Sequence, residues 1–563
     1  MFTTLKNPPA DFLSWDWSKF EPFVQDLLAQ PLNANTVGDW LQNWSDLGDA
    51  LQEFFSRLNV AVTINTADQE AEARFKAALD GIYPNAMAAD QKLKVRLLES
   101  GLQPAGFEIP LRDYRDDAAL FREENLPLLA EEQKLSLEYD QIAGKQTVKW
   151  EGEEVTLTQM LPVYQEPDRA RRESAWRLVT ARQLADREAF NQLWQRFFQM
   201  RLKIAENAGK PDFRAYRWQQ LHRHDYSPED CQTFLKAIED VVVPVARKIY
   251  ERRKARLGVD SLRPWDLDVD PLGRPPLRPY QTIDELKSKT QAIFQAVDPV
   301  LGQYFQQMIA ENLLDLENRK NKAPGGYCTS FTIIRRPFIF MNAVGLHDDV
   351  QTLLHEGGHS FHVFETAAMP LGQLTNSPIE FAEVASMGME FLAGPYLGRQ
   401  SGGFYSPEDA QRAFDEHLER SILFWPYMAV VDGFQHWAYT HPDQALDPSA
   451  CDLAWDNLWL RFMSVVDWTG LEEQRKTGWQ RKLHIFQIPF YYVEYGLAQL
   501  GAGQVWRNAL KDQSGSVAAY RKALALGGSV GLPQLFQAAG ARFSFEAGPL
   551  GEVVSLMSAR LLK

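Results

Sequence analysis

Residues 354–362 read Leu-His-Glu-Gly-Gly-His-Ser-Phe-His, and they are the most informative part of the chain. His355 and His359 are four residues apart, so a helix with about 3.6 residues per turn places both imidazoles on one face. Two ring nitrogens on one face can share a single cation. Glu356 follows the first histidine at the rim of that face, where a carboxylate can act as a base beside a metal without ligating it.

The residues before this motif predict that it lies inside a helix. Asp348 or Asp349 can cap the helix start, and Val350, Leu353 and Leu354 form an apolar stripe at helical spacing. The HExxH pattern on a helix is typical of zinc peptidases. The alternative is a turn-rich loop with two hydrogen-bonded histidines, which would not need this apolar periodicity.

Two consecutive glycines, Gly357 and Gly358, are an unusual feature of the predicted helix. Each glycine in a helix interior costs about 1 kcal/mol relative to alanine. We therefore expect another backbone or a ligand to pass close to this turn.

Composition indicates a globular protein without a nucleic-acid partner. The chain has 563 residues, 45% of them apolar and 24% charged, which is ordinary for a globular fold with a large core. Its formal net charge is −15, and the sequence contains no cluster of Lys and Arg that would bind a polyanion.

The cysteines and the hydropathy pattern predict a cytoplasmic protein. Cys231, Cys328 and Cys451 are far apart and outside any CxxC pattern, so neither a disulfide framework nor a thiolate zinc site is expected. The first residues lack the basic and apolar regions of a signal peptide. We find no apolar run of about 18 residues, so no membrane span is expected.

The chain is predicted to be mainly α-helical, with a boundary near residue 150. A hairpin around Gly152 separates an N-terminal helical lobe, residues 1–150, from a catalytic domain, residues 151–563. The predicted helices are 11–30, 36–58, 68–84, 90–99, 118–137, 168–182, 186–207, 227–257, 283–297, 302–312, 377–392, 407–424 and 449–467.

Two short strands, 331–334 and 338–341, are predicted just before the motif helix. Pro337 cannot donate a ladder hydrogen bond, which favours an edge position for the second strand. Such an edge could pair with an extended peptide, and a purely structural sheet is an equally good interpretation.

A third metal ligand is expected on the helix after the motif, where the candidates are Glu380, Glu383 and Glu390. We favour Glu383 because apolar residues surround it, and a buried carboxylate needs a partner. Glu390 lies seven residues later on the same face and could accept a ring N–H from a ligating histidine. A solvated helix face is the alternative for each of them.

Three blocks of the sequence resemble the thimet oligopeptidase/oligoendopeptidase F family of zinc metallopeptidases, above all its compact bacterial members and the Pz-peptidases. The blocks are 349–362, Glu380-Phe-Ala-Glu383 and 489–495. The resemblance implies a nearly all-helical ellipsoid with a deep central channel, a small β-sheet next to the HExxH helix and one zinc ion per chain. It also implies endoproteolytic cleavage of short peptides.

The resemblance also implies residue roles. His355, His359 and Glu383 would bind zinc, and Glu356 would be the general base. In relatives, a loop with a histidine and paired tyrosines closes over the substrate, and a tyrosine hydroxyl stabilises the oxyanion. These roles fall on His484, on Tyr495 for the oxyanion and on Tyr492 for the substrate, with Tyr491 competing with Tyr492 because the loop alignment is ambiguous by one residue.

One position departs from the family pattern. Relatives carry a bulky apolar residue after the His-Glu pair, whereas this chain has Gly357. This difference suggests open space beside the metal and an altered side-chain preference.

Two alternative functions are kept. One is a second kind of enzyme, a helical zinc carboxypeptidase, and the other is a helical scaffold or binding protein with a degenerate site. The oligomeric state is left open.

Overall fold

The computed structural model describes residues 1–319, 321–323 and 325–562, and within them the mainly helical prediction is confirmed. The helices before the hairpin are Thr3–Lys6, Trp17–Ala29, Val37–Ile64, Gln69–Gly81, Tyr83–Glu99, Glu108–Leu120 and Leu126–Gly144. Those between the hairpin and the motif are Leu161–Tyr164, Arg169–Ala185, Arg187–Asn207, Phe213–Gln220, Pro228–Ala237, the π-helix Ile238–Val242, Val243–Leu257, Ile283–Val297 and Pro299–Ala310.

The motif lies in the helix His347–Thr366, called the motif helix below. The other helices of this half are Ile379–Ala393, Pro407–Thr440, Pro442–Ala445, Pro448–Phe462, Glu472–Lys476, Leu483–Gln487, Tyr492–Ala509, Gln513–Leu524, Leu532–Ala538 and Ala547–Leu561. None of the helices in the described part of the chain combines the length and the apolar character needed to cross a membrane.

Most buried apolar residues belong to one large core and a separate N-terminal core, and two smaller clusters accompany them. The N-terminal core is built from residues between Phe2 and Tyr114. Leu135 and Tyr139, on the helix Leu126–Gly144, pack instead into the large core that also contains the motif helix. The helix Leu126–Gly144 therefore packs with the C-terminal half of the chain. The division of the chain at residue 150 stays a prediction.

The predicted hairpin is present. Thr147–Trp150 pairs antiparallel with Glu153–Thr156, and the two residues between them have positive φ angles, 53° at Glu151 and 92° at Gly152. Two central residues with positive φ match the twist of the flanking strands, which explains the glycine at the turn.

The three-stranded sheet corrects the prediction for Pro337. The strand Arg336–Ala343 is central, flanked by Leu314–Glu317 on one side and Tyr327–Phe331 on the other. Pro337 is tolerated because it lies near the start of the central strand, whereas the pairing with Leu314–Glu317 begins only at Ile339. The edge strand next to the motif helix is therefore Tyr327–Phe331.

Several helical segments differ from the prediction, and two of the differences are large. The helix Glu108–Leu120 was not predicted, and the helix Pro407–Thr440 continues far beyond residue 424. Pro426 lies inside this long helix, where it removes one backbone hydrogen bond. Burial of the helix over much of its length stabilises it despite that loss, because tertiary packing outweighs local propensity.

Candidate metal centre

The start of the motif helix is held by Asp349. Its carboxylate accepts hydrogen bonds from the backbone N–H of Leu346, at 2.7 Å, and of Val344, at 2.9 Å. These bonds satisfy donors at the helix entrance and set the direction in which the motif helix enters the core.

Gly358 brings two helix backbones into contact. A Cβ atom at this position would lie 2.6 Å from the Cα of Ser386 and 2.8 Å from the carbonyl carbon of Ala385. Both residues belong to Ile379–Ala393, called the Glu383 helix below. The expectation that another backbone passes this turn is confirmed. The close crossing places Glu383 opposite the two histidines of the motif helix.

Three side chains converge at this crossing. The Nε2 atoms of His355 and His359 lie 3.4 Å and 3.6 Å from Oε2 of Glu383. One donor atom from each residue lies within 4.8 Å of the others. A tetrahedral zinc ion with bonds of about 2.0–2.1 Å holds its ligand atoms about 3.3 Å apart, so the donors fit a zinc ion.

Hydrogen bonds orient two of the three side chains, His355 and Glu383. His355 Nδ1 lies 2.7 Å from Oε1 of Glu390, whose other oxygen lies 3.4 Å from Nδ1 of His417. The hydroxyl of Tyr491 donates to Oε1 of Glu383 at 2.8 Å. These contacts direct Nε2 of His355 and Oε2 of Glu383 toward the shared point, as the orienting partners of metal ligands do.

The charges of the cluster also suit a cation. Burial opposes ionisation of Glu383, but the neighbouring His359 and His355 outweigh it and lower its pKa to about 2. Burial lowers the pKa of His359 to about 4, which leaves its ring neutral. Burial acts the same way on His355, yet hydrogen bonds to Glu383 and Glu390 raise its pKa well above the ordinary value. A bound cation would take the place of that proton.

Glu356 has a different environment from Glu383. Burial raises the pKa of Glu356 to about 7, against a smaller lowering effect of His355. Its Oε2 atom is buried and has no hydrogen-bond partner among the described residues. A carboxylate with a free oxygen and a pKa near neutrality is suited to take up and release a proton.

A cavity of about 500 Å³ opens over the cluster. Its walls include the edge strand Tyr327–Phe331, the motif helix, Tyr491 and Tyr495. Asp49, from the N-terminal helix Val37–Ile64, lines the same cavity. The volume is within the range of cavities that bind small ligands.

The structure distinguishes Tyr491 from Tyr492, which the sequence leaves as alternatives for the same role. Tyr491 and Tyr495 are four residues apart and both line the cavity, with ring centroids 5.1 Å apart. Tyr492 is not among the lining residues, and its hydroxyl lies 3.2 Å from Nζ of Lys482. The tyrosine in the cavity is therefore Tyr491, because spacing of four residues puts it on the same helix face as Tyr495.

His484 lies behind the tyrosines. Its ring is 5.9 Å from that of Tyr491 and 5.8 Å from that of Tyr495, measured between centroids. Burial lowers its pKa to about 3, so the ring is neutral near pH 7. Its Nδ1 atom is buried and has no hydrogen-bond partner within the described ranges.

The space at Gly357 is already filled, which corrects the sequence-based expectation. A Cβ atom there would lie 3.1 Å from Cε2 of Phe294 and closer still to its Cζ. The ring of Phe294 thus takes the place of the missing side chain. Gly357 contributes no open space beside the metal, and it is not among the residues that line the cavity.

Sequence reasoning missed several residues of the cavity wall. His362 lines it, and its buried Nε2 has no partner in the described part of the chain. A signal for His362 existed, because it follows His359 by three residues and shares its side of the helix. Cys328 and Asp49 also line the cavity, and nothing in the local sequence of either residue indicates this.

Comparisons with known proteins identify related peptidases. The model of peptidase family M3 matches residues 163–552. The oligopeptidase PepF of Bacillus subtilis is 25% identical over 296 residues, which are 51% of this chain and 41% of that protein. The group B oligopeptidase PepB of Streptococcus agalactiae is 24% identical over 238 residues, 42% of this chain and 38% of that protein. These matches span about two fifths of the relatives' lengths.

Solved structures match over nearly the whole chain. A structure of Pz peptidase A with an inhibitor is 27% identical, has a TM-score of 0.91 and is matched over 99% of this chain and 97% of that one. A putative oligoendopeptidase F from Bacillus anthracis, 24% identical, has the same fold, with a TM-score of 0.87 and coverage of 97% and 96%. The family model covers well over half of the sequence, and the chain belongs to peptidase family M3.

Proposed function

We propose that the protein is a zinc-dependent endopeptidase that hydrolyses short peptides. One observation carries the proposal: two imidazole nitrogens lie 3.4 Å and 3.6 Å from one oxygen of Glu383, on the floor of a cavity that also contains Glu356. Membership of a peptidase family, and relatives named oligopeptidase or oligoendopeptidase, support the same activity.

In this proposal His355, His359 and Glu383 hold one zinc ion. When bound, the ion supplies Lewis-acid chemistry, polarising a peptide carbonyl and acidifying water. Glu356 accepts the proton from the attacking water at its free oxygen and then delivers it to the leaving amine. Burial raises the pKa of Glu356 to about 7 before a cation is bound, which makes its carboxylate a stronger base than an exposed one.

The tyrosines would stabilise the developing oxyanion. Tyr495 lines the cavity beside Tyr491. The hydroxyl of Tyr491 already donates a hydrogen bond to Glu383. We assign oxyanion stabilisation to Tyr495, and loss of one such donor typically costs about 10²–10³ in rate. His484 packs behind both rings and would position them, while Tyr491 rather than Tyr492 would contact the substrate.

The edge strand suggests how a peptide binds. Tyr327–Phe331 pairs with the central strand on one side only, and its residues line the cavity. An extended peptide can add to such an edge through backbone hydrogen bonds, which favours an unfolded substrate over a folded one. The proposal retains the cytoplasmic location predicted from the sequence, in keeping with the free thiols of Cys231, Cys328 and Cys451.

A peptide-library digestion tests the proposal. Mixed synthetic peptides with free or amidated C-termini are incubated with the enzyme, with and without a chelator, and the products are identified by mass spectrometry. We expect internal cleavage of both sets, abolished by the chelator and restored by zinc. Removal of single C-terminal residues from the free peptides alone would instead indicate a zinc carboxypeptidase.

A further inference from the structure

A second group of potential metal ligands lies outside the cavity. Cys231 on the helix Pro228–Ala237 faces Asp432 and His436 on the helix Pro407–Thr440, and one donor atom from each lies within 4.8 Å of the others. Asp432 and His436 are four residues apart, so they share one helix face. His436 Nε2 lies 3.4 Å from Oδ2 of Asp432, close to the spacing of about 3.3 Å that a tetrahedral zinc ion imposes.

All three side chains are deeply buried, with 1% of Cys231, 0% of Asp432 and 4% of His436 exposed. Neither carboxylate oxygen of Asp432 has a hydrogen-bond partner among the described residues, and the same holds for Nε2 of His436. A buried carboxylate without a partner is costly, and buried charges in proteins are paired or coordinate metals. The three donors therefore point to a ligand between them.

The neighbouring cations do not neutralise Asp432. The buried guanidinium of Arg223 donates to Glu494 at 2.6 Å and lies 3.8 Å from Glu380, so its ion pairs are with these two carboxylates. Arg214 Nη1 lies 3.5 Å from Nδ1 of His436, at the outer limit of a hydrogen bond, and does not contact the carboxylate of Asp432. Within the described ranges, no arginine or lysine forms an ion pair with Asp432, and its partner at ion-pair distance is the imidazole of His436, 3.4 Å away.

We propose that Cys231, Asp432 and His436 bind a second transition-metal ion, zinc by ligand type, with a structural role. A thiolate and a carboxylate together neutralise a divalent cation, and the neutral imidazole completes the set. Thiolate and imidazole ligands favour zinc over magnesium or calcium. The burial of the site excludes peptides, so the ion would link two helices rather than take part in hydrolysis. With three protein ligands, the fourth position of a tetrahedral ion would be taken by a water molecule.

The position of the site gives this ion an effect on the catalytic centre. The segment that leads to Cys231 contains Tyr226, whose hydroxyl donates to Glu380 on the Glu383 helix, and Arg223, which donates to Glu494 next to Tyr495. An ion at Cys231 would hold this segment against the long helix Pro407–Thr440. It would thereby stabilise the positions of the two helices that carry Glu383 and Tyr495.

Cobalt substitution tests the proposal on the full-length protein. The chain is produced in medium in which cobalt replaces zinc, and its metal content and absorption spectrum are measured. A double variant, His355→Ala with His359→Ala, removes the catalytic ion. We expect two cobalt ions per wild-type chain, one in the double variant, and a thiolate-to-cobalt charge-transfer band in both.

The cysteine responsible is identified by a matched pair of variants. Cys231→Ser should lose the charge-transfer band and one cobalt ion, and its melting temperature should fall. Cys451→Ser replaces an equally buried free thiol outside the cluster and should retain the band and both ions. A wild-type chain with a single cobalt ion, or with a second ion but no thiolate band, would overturn the proposal whether or not Cys231→Ser folds.

Discussion

At the scale of single residues, the candidate site depends on two buried carboxylates with opposite environments. The pKa of Glu383 is lowered to about 2 and that of Glu356 is raised to about 7. Sequence reasoning singled out Glu356 from the spacing of the motif and Glu383 from its apolar neighbours. It could not choose between Tyr491 and Tyr492, because the direction of their side chains depends on where the helix Tyr492–Ala509 begins.

Glu356→Gln should keep the metal and lose turnover. The amide has nearly the same shape but cannot accept the proton, and general-base catalysis typically contributes about 10²–10⁴-fold. Metal content and kcat are measured on the same sample. Glu365→Gln is the control, because Glu365 lies on the same helix and pairs with Arg521. Full activity of Glu356→Gln would show that another residue is the base.

The activity should decline on the acidic side of neutrality. The pKa of Glu356 is raised to about 7 by burial, so the protonated, inactive form accumulates as the pH falls below that value. A bound cation favours the carboxylate and shifts this limb to lower pH. We therefore expect a pH profile of kcat/KM whose acidic limb lies at or below about pH 7. A limb centred well above pH 7 would contradict the assignment.

Glu390→Ala should weaken metal binding while leaving the three ligands in place. The substitution removes the acceptor 2.7 Å from His355 Nδ1, and loss of such an orienting partner typically costs about 10–100-fold in metal affinity. Competition with a chelator of known affinity measures the change. Glu390→Gln keeps one acceptor oxygen and should recover part of the affinity, and an unchanged affinity in both variants would argue against this role.

At the scale of helices and strands, the periodicity of apolar residues predicts an element correctly where the local pattern agrees with the tertiary packing. The helix Ile283–Val297 was predicted with its observed bounds. Two of the failures involve prolines. Pro426 lies inside a buried helix, and Pro337 lies near the start of a central strand, before the pairing with Leu314–Glu317 begins. Both outcomes depend on packing partners that local sequence does not reveal.

Gly358→Ala should destabilise the protein and impair metal binding. The new methyl group would overlap the backbone of the Glu383 helix, and such overpacking typically costs about 1–3 kcal/mol. Gly48→Ala is the matched control, because Gly48 also lies in a helix but would place its Cβ in open space. The control should be neutral or slightly stabilising. Thermal unfolding and metal content are measured for both, and equal behaviour of the two variants would disprove the close crossing.

At the scale of the whole molecule, the cavity is assembled from parts of the chain that are far apart in sequence. The N-terminal helix Val37–Ile64 contributes Asp49 to the wall, and Thr63 Oγ1 lies 2.6 Å from the hydroxyl of Tyr327 on the edge strand. No local pattern predicts these contacts, because each of them joins residues that are far apart in the sequence. The walls of the cavity also restrict the size of the molecules that can reach Glu356.

Folded proteins should resist the enzyme, whereas short peptides of the same sequence should be cleaved. A cavity of about 500 Å³ with an edge strand in its wall admits an extended segment but not a packed domain. A small stable protein and a set of synthetic peptides that cover its sequence are digested in parallel under native conditions. Rapid cleavage of the native protein inside a stable helix would contradict this size restriction.

At Gly358 the separation of the two ligand-bearing helices is set by backbone atoms rather than by side chains. Much of the cavity wall comes from other segments, namely the edge strand, the tyrosine pair and Asp49. Selectivity for one peptide over another can therefore drift during evolution while the ion keeps its position. Engineering of new cleavage preferences is best confined to those outer segments, with the helix crossing left untouched.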